Sequence, residues 1–228
     1  MLEALKEQVL EANLMLPRHG LAVLTWGNAS GLAEDREHLV IKPSGVEYAA
    51  LRAEHLVVVR VADGAVVEGG RPSSDTPAHR RLYQTLDGIA AVVHTHSPWA
   101  TAWAQAGRAI PLLGTTHADF CTGPVPCTRD LTDDEVAGDF EAQTAATVVE
   151  ALSGRSPAEL PAVLVRGHGP FCWGDSPTAA VQHAVTLEEV AKLARYTLAL
   201  NPMARLSPRL AARHFQRKHG PGAYYGQP

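Results

Sequence analysis

The segment Ile89-Ala90-Ala91-Val92-Val93 is a continuous apolar run that ends in His94-Thr95-His96. Five such residues are too few for a helix and suit a buried strand, so the chain must build a sheet that carries histidines out at a strand end. Strand side chains alternate with period two, so His94 and His96 leave the same face and can converge on one ion. A second apolar run, Ala162 to Val165, leads into Arg166-Gly167-His168-Gly169, where glycines flank the histidine as they do wherever backbone approaches something closely. With His168 supplied from an adjacent strand, three imidazoles leave an open coordination position, the form of a catalytic rather than a structural zinc site. A His-x-His pair also occurs as surface decoration or as a hydrogen-bonded pair; placement at the ends of buried strands favours the metal.

With 228 residues, 46% of them hydrophobic, the chain is long enough to bury a large core, and it reads as one domain over 1–228. A net charge of -4 gives no general attraction to nucleic acid or to an anionic membrane, so an anionic ligand must be caught in a local pocket. Cys121, Cys127 and Cys172 are odd in number and lack paired short spacing, which suits a reducing cytosol rather than a disulfide framework or a thiolate cluster. The start, Met1 to Glu7, mixes charges with apolar residues, and no apolar stretch approaches a membrane span; a soluble, unprocessed, cytoplasmic protein is expected.

Leu2, Leu5, Val9, Ala12 and Leu16 recur at helical spacing and predict an opening helix stopped near Pro17 to Gly20. Strands follow at Leu39-Val40-Ile41 and in a hairpin, Leu56 to Val61 with Ala65 to Glu68, turned by Asp63-Gly64. Asp75, Thr76 and Pro77 start a helix, and a strand then runs to His96. Pro98 begins a helix through Ala106, and a long helix fills Asp133 to Leu152. After a surface connection at 153–160, a strand pair around 162–168 and 170–173 precedes a helix from about Pro177 to Leu200. Hairpins interleaved with helices argue for a mixed or antiparallel sheet covered by helices, an α/β fold in three layers. The Arg-, Lys- and His-rich tail, 205–228, reads on composition alone as a frayed terminus.

Three polar loops interrupt these segments: Trp26-Gly27-Asn28-Ala29-Ser30, Lys42-Pro43-Ser44-Gly45 and Pro72-Ser73-Ser74-Asp75. Gly27, Asn28, Ser44, Gly45, Ser73 and Ser74 offer amides, hydroxyls and a carboxamide to phosphate oxygens, Ser73 and Ser74 beside a helix N-terminus and Lys42 adding charge. The same residues also mark ordinary turns, and spacing alone does not bring the loops together.

Leu24 to Asn28, Ile41 to Val46, Pro72 to Pro77, His94 to Ser97, Gly114-Thr115-Thr116-His117-Ala118-Asp119, Gly167 to Pro170, Lys218-His219-Gly220 and Ala223-Tyr224-Tyr225-Gly226 agree in order and spacing with one family. Over nearly its whole length the chain resembles the L-ribulose-5-phosphate 4-epimerases of the class II aldolase superfamily. That resemblance implies a class II aldolase-like three-layer fold with a central, mostly antiparallel sheet flanked by helices. It implies His94, His96 and His168 as ligands of zinc or another divalent ion, with Asp75 in the metal shell. By the same likeness Gly27, Asn28, Ser44, Gly45, Ser73 and Ser74 match phosphate-binding positions, Asp119 and Tyr225 form the acid/base pair, and His214 and Glu141 lie near the site.

The implied partners are a small sugar phosphate and further copies of the chain, assembled as a C4 homotetramer with active sites between subunits and the tail completing each site. The implied reaction interconverts L-ribulose 5-phosphate and D-xylulose 5-phosphate in pentose catabolism of the L-arabinose type. Three other readings compete. A phosphate-sugar aldolase of this superfamily carries Glu as base where this chain has Asp75; an adducin-like scaffold would need no metal ligands; a zinc hydrolase would leave the phosphate loops without purpose.

Overall fold

The structure, a computed structural model, describes residues 2–225; Met1 and the C-terminal Gly226, Gln227 and Pro228 lie outside the described residues. Seven strands form one sheet: β1 (Asn28–Leu32), β2 (His38–Ile41), β3 (Val57–Arg60), β4 (Val66–Glu68), β5 (Ala91–His94), β6 (Ala162–Leu164) and β7 (Pro170–Gly174), in the order β4-β3-β2-β1-β5-β7-β6. Each neighbouring pair is antiparallel. The helices are α1 (Leu2–Arg18), α2 (Thr76–Thr85), α3 (Pro98–Gln105), α4 (Thr115–Phe120), α5 (Asp133–Ala137), α6 (Phe140–Leu152), α7 (Pro177–Leu200) and α8 (Pro208–His219).

Period-two alternation along β1 shows how the layers divide. A Cβ on Gly31 would meet Leu5 and Val9 of α1 and Pro177 of α7, whereas the next residue back, Ser30, points the other way, its hydroxyl bonded to His79 and Tyr83 of α2. Helices α1 and α7 therefore cover one face, and α2, packed on α6, the other. The three-layer expectation holds. Under α1 a small apolar cluster gathers Val9, Val40, Leu51, Leu56 and Val58; the main core fills the remaining interior.

Four local expectations are corrected. Asn28 to Ser30, read as the end of a polar loop, open the fully buried central strand β1, because Asn13 of α1 donates to the Ala29 carbonyl (3.0 Å) and accepts from its amide (2.9 Å). β5 ends at His94 and β6 at Leu164, so His96 and His168 stand on the turns that follow, not on strands. The helix expected over 133–152 breaks at Gly138-Asp139, where the Asp139 carboxylate caps α6 by accepting from Ala142 N. The tail, frayed on composition, carries the twelve-residue α8, packed on α4.

Candidate metal and phosphate site

His94 leaves the end of β5, paired with Asn28 on one side and Phe171 on the other. Its Nδ1 lies 3.0 Å from the Pro170 carbonyl, which can only accept, so the proton sits on Nδ1 and Nε2 keeps its lone pair. That Nε2 is 3.1 Å from Nε2 of His96, and ligand atoms of His94, His96 and His168 all lie within 4.8 Å of one another. Gly169 makes the approach of His168 possible, since a Cβ there would stand 2.5 Å from the Thr95 carbonyl.

These residues fit a divalent ion. Tetrahedral zinc with bonds near 2.0–2.1 Å spaces its nitrogens about 3.3 Å apart, close to the His94–His96 separation. Burial pushes the His94 imidazole down to about 3 and lowers His96 and His168, so all three are neutral near pH 7, the state that ligates. Nδ1 of His168 is buried without a hydrogen-bond partner, an orphan of the kind an ion or a water resolves. Asp75 lies beside the trio: burial works to raise its carboxyl, but His94, His79, the Asn28 amide (2.6 Å) and His168 outweigh this and hold it ionised. Its oxygens are not among the ligand atoms that gather within 4.8 Å.

The three polar loops meet the histidines in one cavity of about 390 Å³, lined by Gly27, Asn28, Lys42, Ser44, Gly45, Ser73, Ser74 and Asp75 together with His94, His96 and His168. Backbone bonds knit them: Ser44 N to the Arg71 carbonyl and Ser73 N to the Lys42 carbonyl, both 3.0 Å, while the Asn28 amide reaches Ser73 Oγ at 3.0 Å. The N-terminus of α2 opens beside Ser73 and Ser74 and favours an anion there. Lys42 is 2% exposed, and burial lowers its pKa; the Pro43 carbonyl at 3.4 Å is a poor partner for an ammonium. A buried cation so weakly paired suits a bound anion.

Asp119 and Tyr225 do not line that cavity. They form a second cluster with α8. Arg217 grips Asp119 with both arms of its guanidinium (Nε–Oδ1 3.1 Å, Nη2–Oδ2 2.8 Å), His214 Nδ1 lies 3.1 Å from Oδ1, and His219 Nε2 donates to the Asp119 carbonyl at 2.8 Å. Burial would raise the Asp119 carboxyl, but Arg217 and His214 bring it below its usual range. The same guanidinium lies 4.1 Å over the ring of Tyr225. Glu141 opens α6 next to Phe140, whose ring is 6.5 Å from that of His168. Sequence reasoning missed Arg217, one of many basic residues in the tail, because its partner is 98 positions away. It also missed Tyr48, which stands in no polar loop.

Residues 7–195 match the family described as Class II Aldolase and Adducin N-terminal domain. The chain is 51% identical over 228 residues to L-ribulose-5-phosphate 4-epimerase UlaF of Salmonella paratyphi C, covering 99% of this chain and 100% of that one. Among solved structures, an L-fuculose 1-phosphate aldolase superposes with a TM-score of 0.81 at 24% identity, covering 94% of this chain and 95% of that one. L-fuculose-1-phosphate aldolase from Thermus thermophilus superposes with a TM-score of 0.70 at 28% identity, covering 90% and 100%.

Proposed function

Because the chain belongs to the family of Class II Aldolase and Adducin N-terminal domains, we propose that it is a zinc-dependent epimerase, a single domain over 1–228, interconverting L-ribulose 5-phosphate and D-xylulose 5-phosphate. The observation that carries this reading is the meeting of three neutral imidazoles and three donor-rich loops, Lys42 among them, in one cavity. The identity to an epimerase, rather than to the aldolases that share the fold, supports the choice of reaction.

The C4 hydrogen of the substrate is not acidic enough to be removed directly, so the C3–C4 bond must break. A dihydroxyacetone enediolate and glycolaldehyde phosphate result; the aldehyde turns its other face, and aldol addition restores the bond inverted. Zinc or another divalent ion, held by His94, His96 and His168 with Asp75 in its shell, would supply Lewis-acid stabilisation to the oxygens on which charge develops. The phosphate is held by amides and hydroxyls of Gly27, Asn28, Ser44, Gly45, Ser73 and Ser74 and by the Lys42 ammonium. The aldehyde end turns while that grip is kept. Asp119 and Tyr225 exchange the proton of the C4 oxygen on its two faces.

Within one chain that pair lies outside the histidine cavity, which supports a C4 homotetramer in which the α8 cluster of one subunit serves the cavity of its neighbour. The role proposed is a cytoplasmic one in pentose catabolism of the L-arabinose type; no helix among the described residues is long and apolar enough to cross a membrane. The test is turnover of L-ribulose 5-phosphate by purified, zinc-loaded protein with its products identified. D-xylulose 5-phosphate is expected; accumulated dihydroxyacetone and glycolaldehyde phosphate would make it an aldolase, and no conversion by the zinc-loaded protein would sink the reading.

A further inference from the structure

Beneath the cavity lies Tyr48, 6% exposed, on a short 3-10 turn, Tyr48–Ala50. Its hydroxyl lies 2.8 Å from the Gly27 carbonyl and 3.0 Å from the Trp26 carbonyl and donates to both in a shared bond. Burial pushes the hydroxyl's pKa up, so it remains a donor at every pH at which the protein works. The ring of the same residue lies 5.0 Å from the Lys42 ammonium. One side chain thus touches two of the loops that line the cavity, the backbone of one and the cation of the other.

Each contact matters because its partner has little else. Trp26 is 53% exposed and cannot anchor its loop by burial. Gly27, at φ +80°, lies so close to β5 that a Cβ would stand 2.8 Å from the His94 carbonyl, so the loop is trapped between that strand and the Tyr48 hydroxyl. Asn28 follows directly and directs its amide to Ser73 and Asp75. Among the described residues the Lys42 ammonium has the Pro43 carbonyl at 3.4 Å as its hydrogen-bond acceptor, and the aromatic face is its other source of electrostatic support.

We infer that Tyr48 is a positioning residue for the phosphate end of the substrate, fixing the Lys42 ammonium and the Gly27-Asn28 backbone in one geometry without touching the ligand. This rests on the cavity being a sugar-phosphate site. Phosphate is gripped alike before and after the C3–C4 bond breaks, so losing Tyr48 weakens binding of substrate and transition state together, raising KM and sparing kcat.

Tyr48→Phe keeps the ring under Lys42 and removes the hydroxyl, leaving the Trp26 and Gly27 carbonyls without this donor; Tyr48→Leu removes both contacts. With zinc-loaded protein, KM for L-ribulose 5-phosphate is expected to rise about tenfold in Tyr48→Phe and about a hundredfold in Tyr48→Leu, with kcat within about threefold and bound zinc unchanged. Titration with inorganic phosphate should weaken in step with KM, and Lys42→Met marks the loss of the phosphate end for comparison. A wild type that binds phosphate beside a Tyr48→Phe protein with the same KM and phosphate affinity overturns the role of Tyr48 alone. A fall confined to kcat does the same. A wild type that binds no phosphate overturns the phosphate reading and Tyr48 with it. Should Tyr48→Leu fail to fold, Tyr48→Phe decides.

Discussion

The Asp119 carboxylate takes both arms of the Arg217 guanidinium, and the same guanidinium lies against the ring of Tyr225. Two residues proposed to move protons are thus held by one side chain, in a planar fork that an ammonium cannot reproduce. Arg217→Lys keeps the charge and loses the fork. Its kcat is expected to fall about tenfold or more with bound zinc unchanged, as measured by steady-state turnover and metal analysis. The acid limb of its pH profile should move upward, because Asp119 loses hydrogen bonds that hold its pKa down. At this scale residue types were legible: His94, His96 and His168 stood out by chemistry and spacing. The proton on His94 Nδ1 was not, since a carbonyl 76 positions away decides it.

At the scale of elements, two helices bring buried histidines to the core. His79 of α2 shares its Nδ1 with Ser30 Oγ at 2.7 Å, and His117 of α4 is 3% exposed; burial brings each down to about 4, against partial compensation from Asp75 for His79 and from the Gly123 and Pro111 backbone for His117. Both are depressed relative to an unfolded value near 6.5, so the unfolded chain binds more protons between these values. Their stabilising effect is complete above pH 6.5 and is lost as pH falls toward 4. Unfolding of the zinc-free protein by denaturant should therefore lose on the order of 1–2 kcal/mol per histidine between pH 7 and pH 5, and His117→Gln should flatten that dependence by about this amount. Most elements were legible from periodicity, from α1 to α7. β1 was not, because Asn28, Ser30 and Gly31 are turn formers that only Asn13 and flanking strands turn into a buried strand. α6 began later than its apolar pattern because a cap at Asp139 intervened.

For the whole molecule, the separation of the α8 cluster from the histidine cavity has a measurable consequence. If each site takes its histidines from one subunit and Tyr225 from the next, His96→Asn and Tyr225→Phe proteins, each inactive alone, should regain activity when unfolded and refolded together. Random C4 assembly gives about a quarter of sites both intact contributions. A chain ending before Tyr224 should keep its zinc and lose turnover in the same assay. Sequence alone determined the chemistry on offer, because ligand types, apolar runs and turn residues are local properties read within a few positions. It also carried the family, since motifs agreed in order along nearly the whole chain. Only the tertiary structure decided which polar loops share a cavity, that His96 and His168 stand on turns, and that Asp119 belongs with Arg217 and His214 rather than with His94, His96 and His168. Those outcomes depend on strand order and helix packing, which join residues 45 to 98 positions apart and leave no periodic trace in the chain.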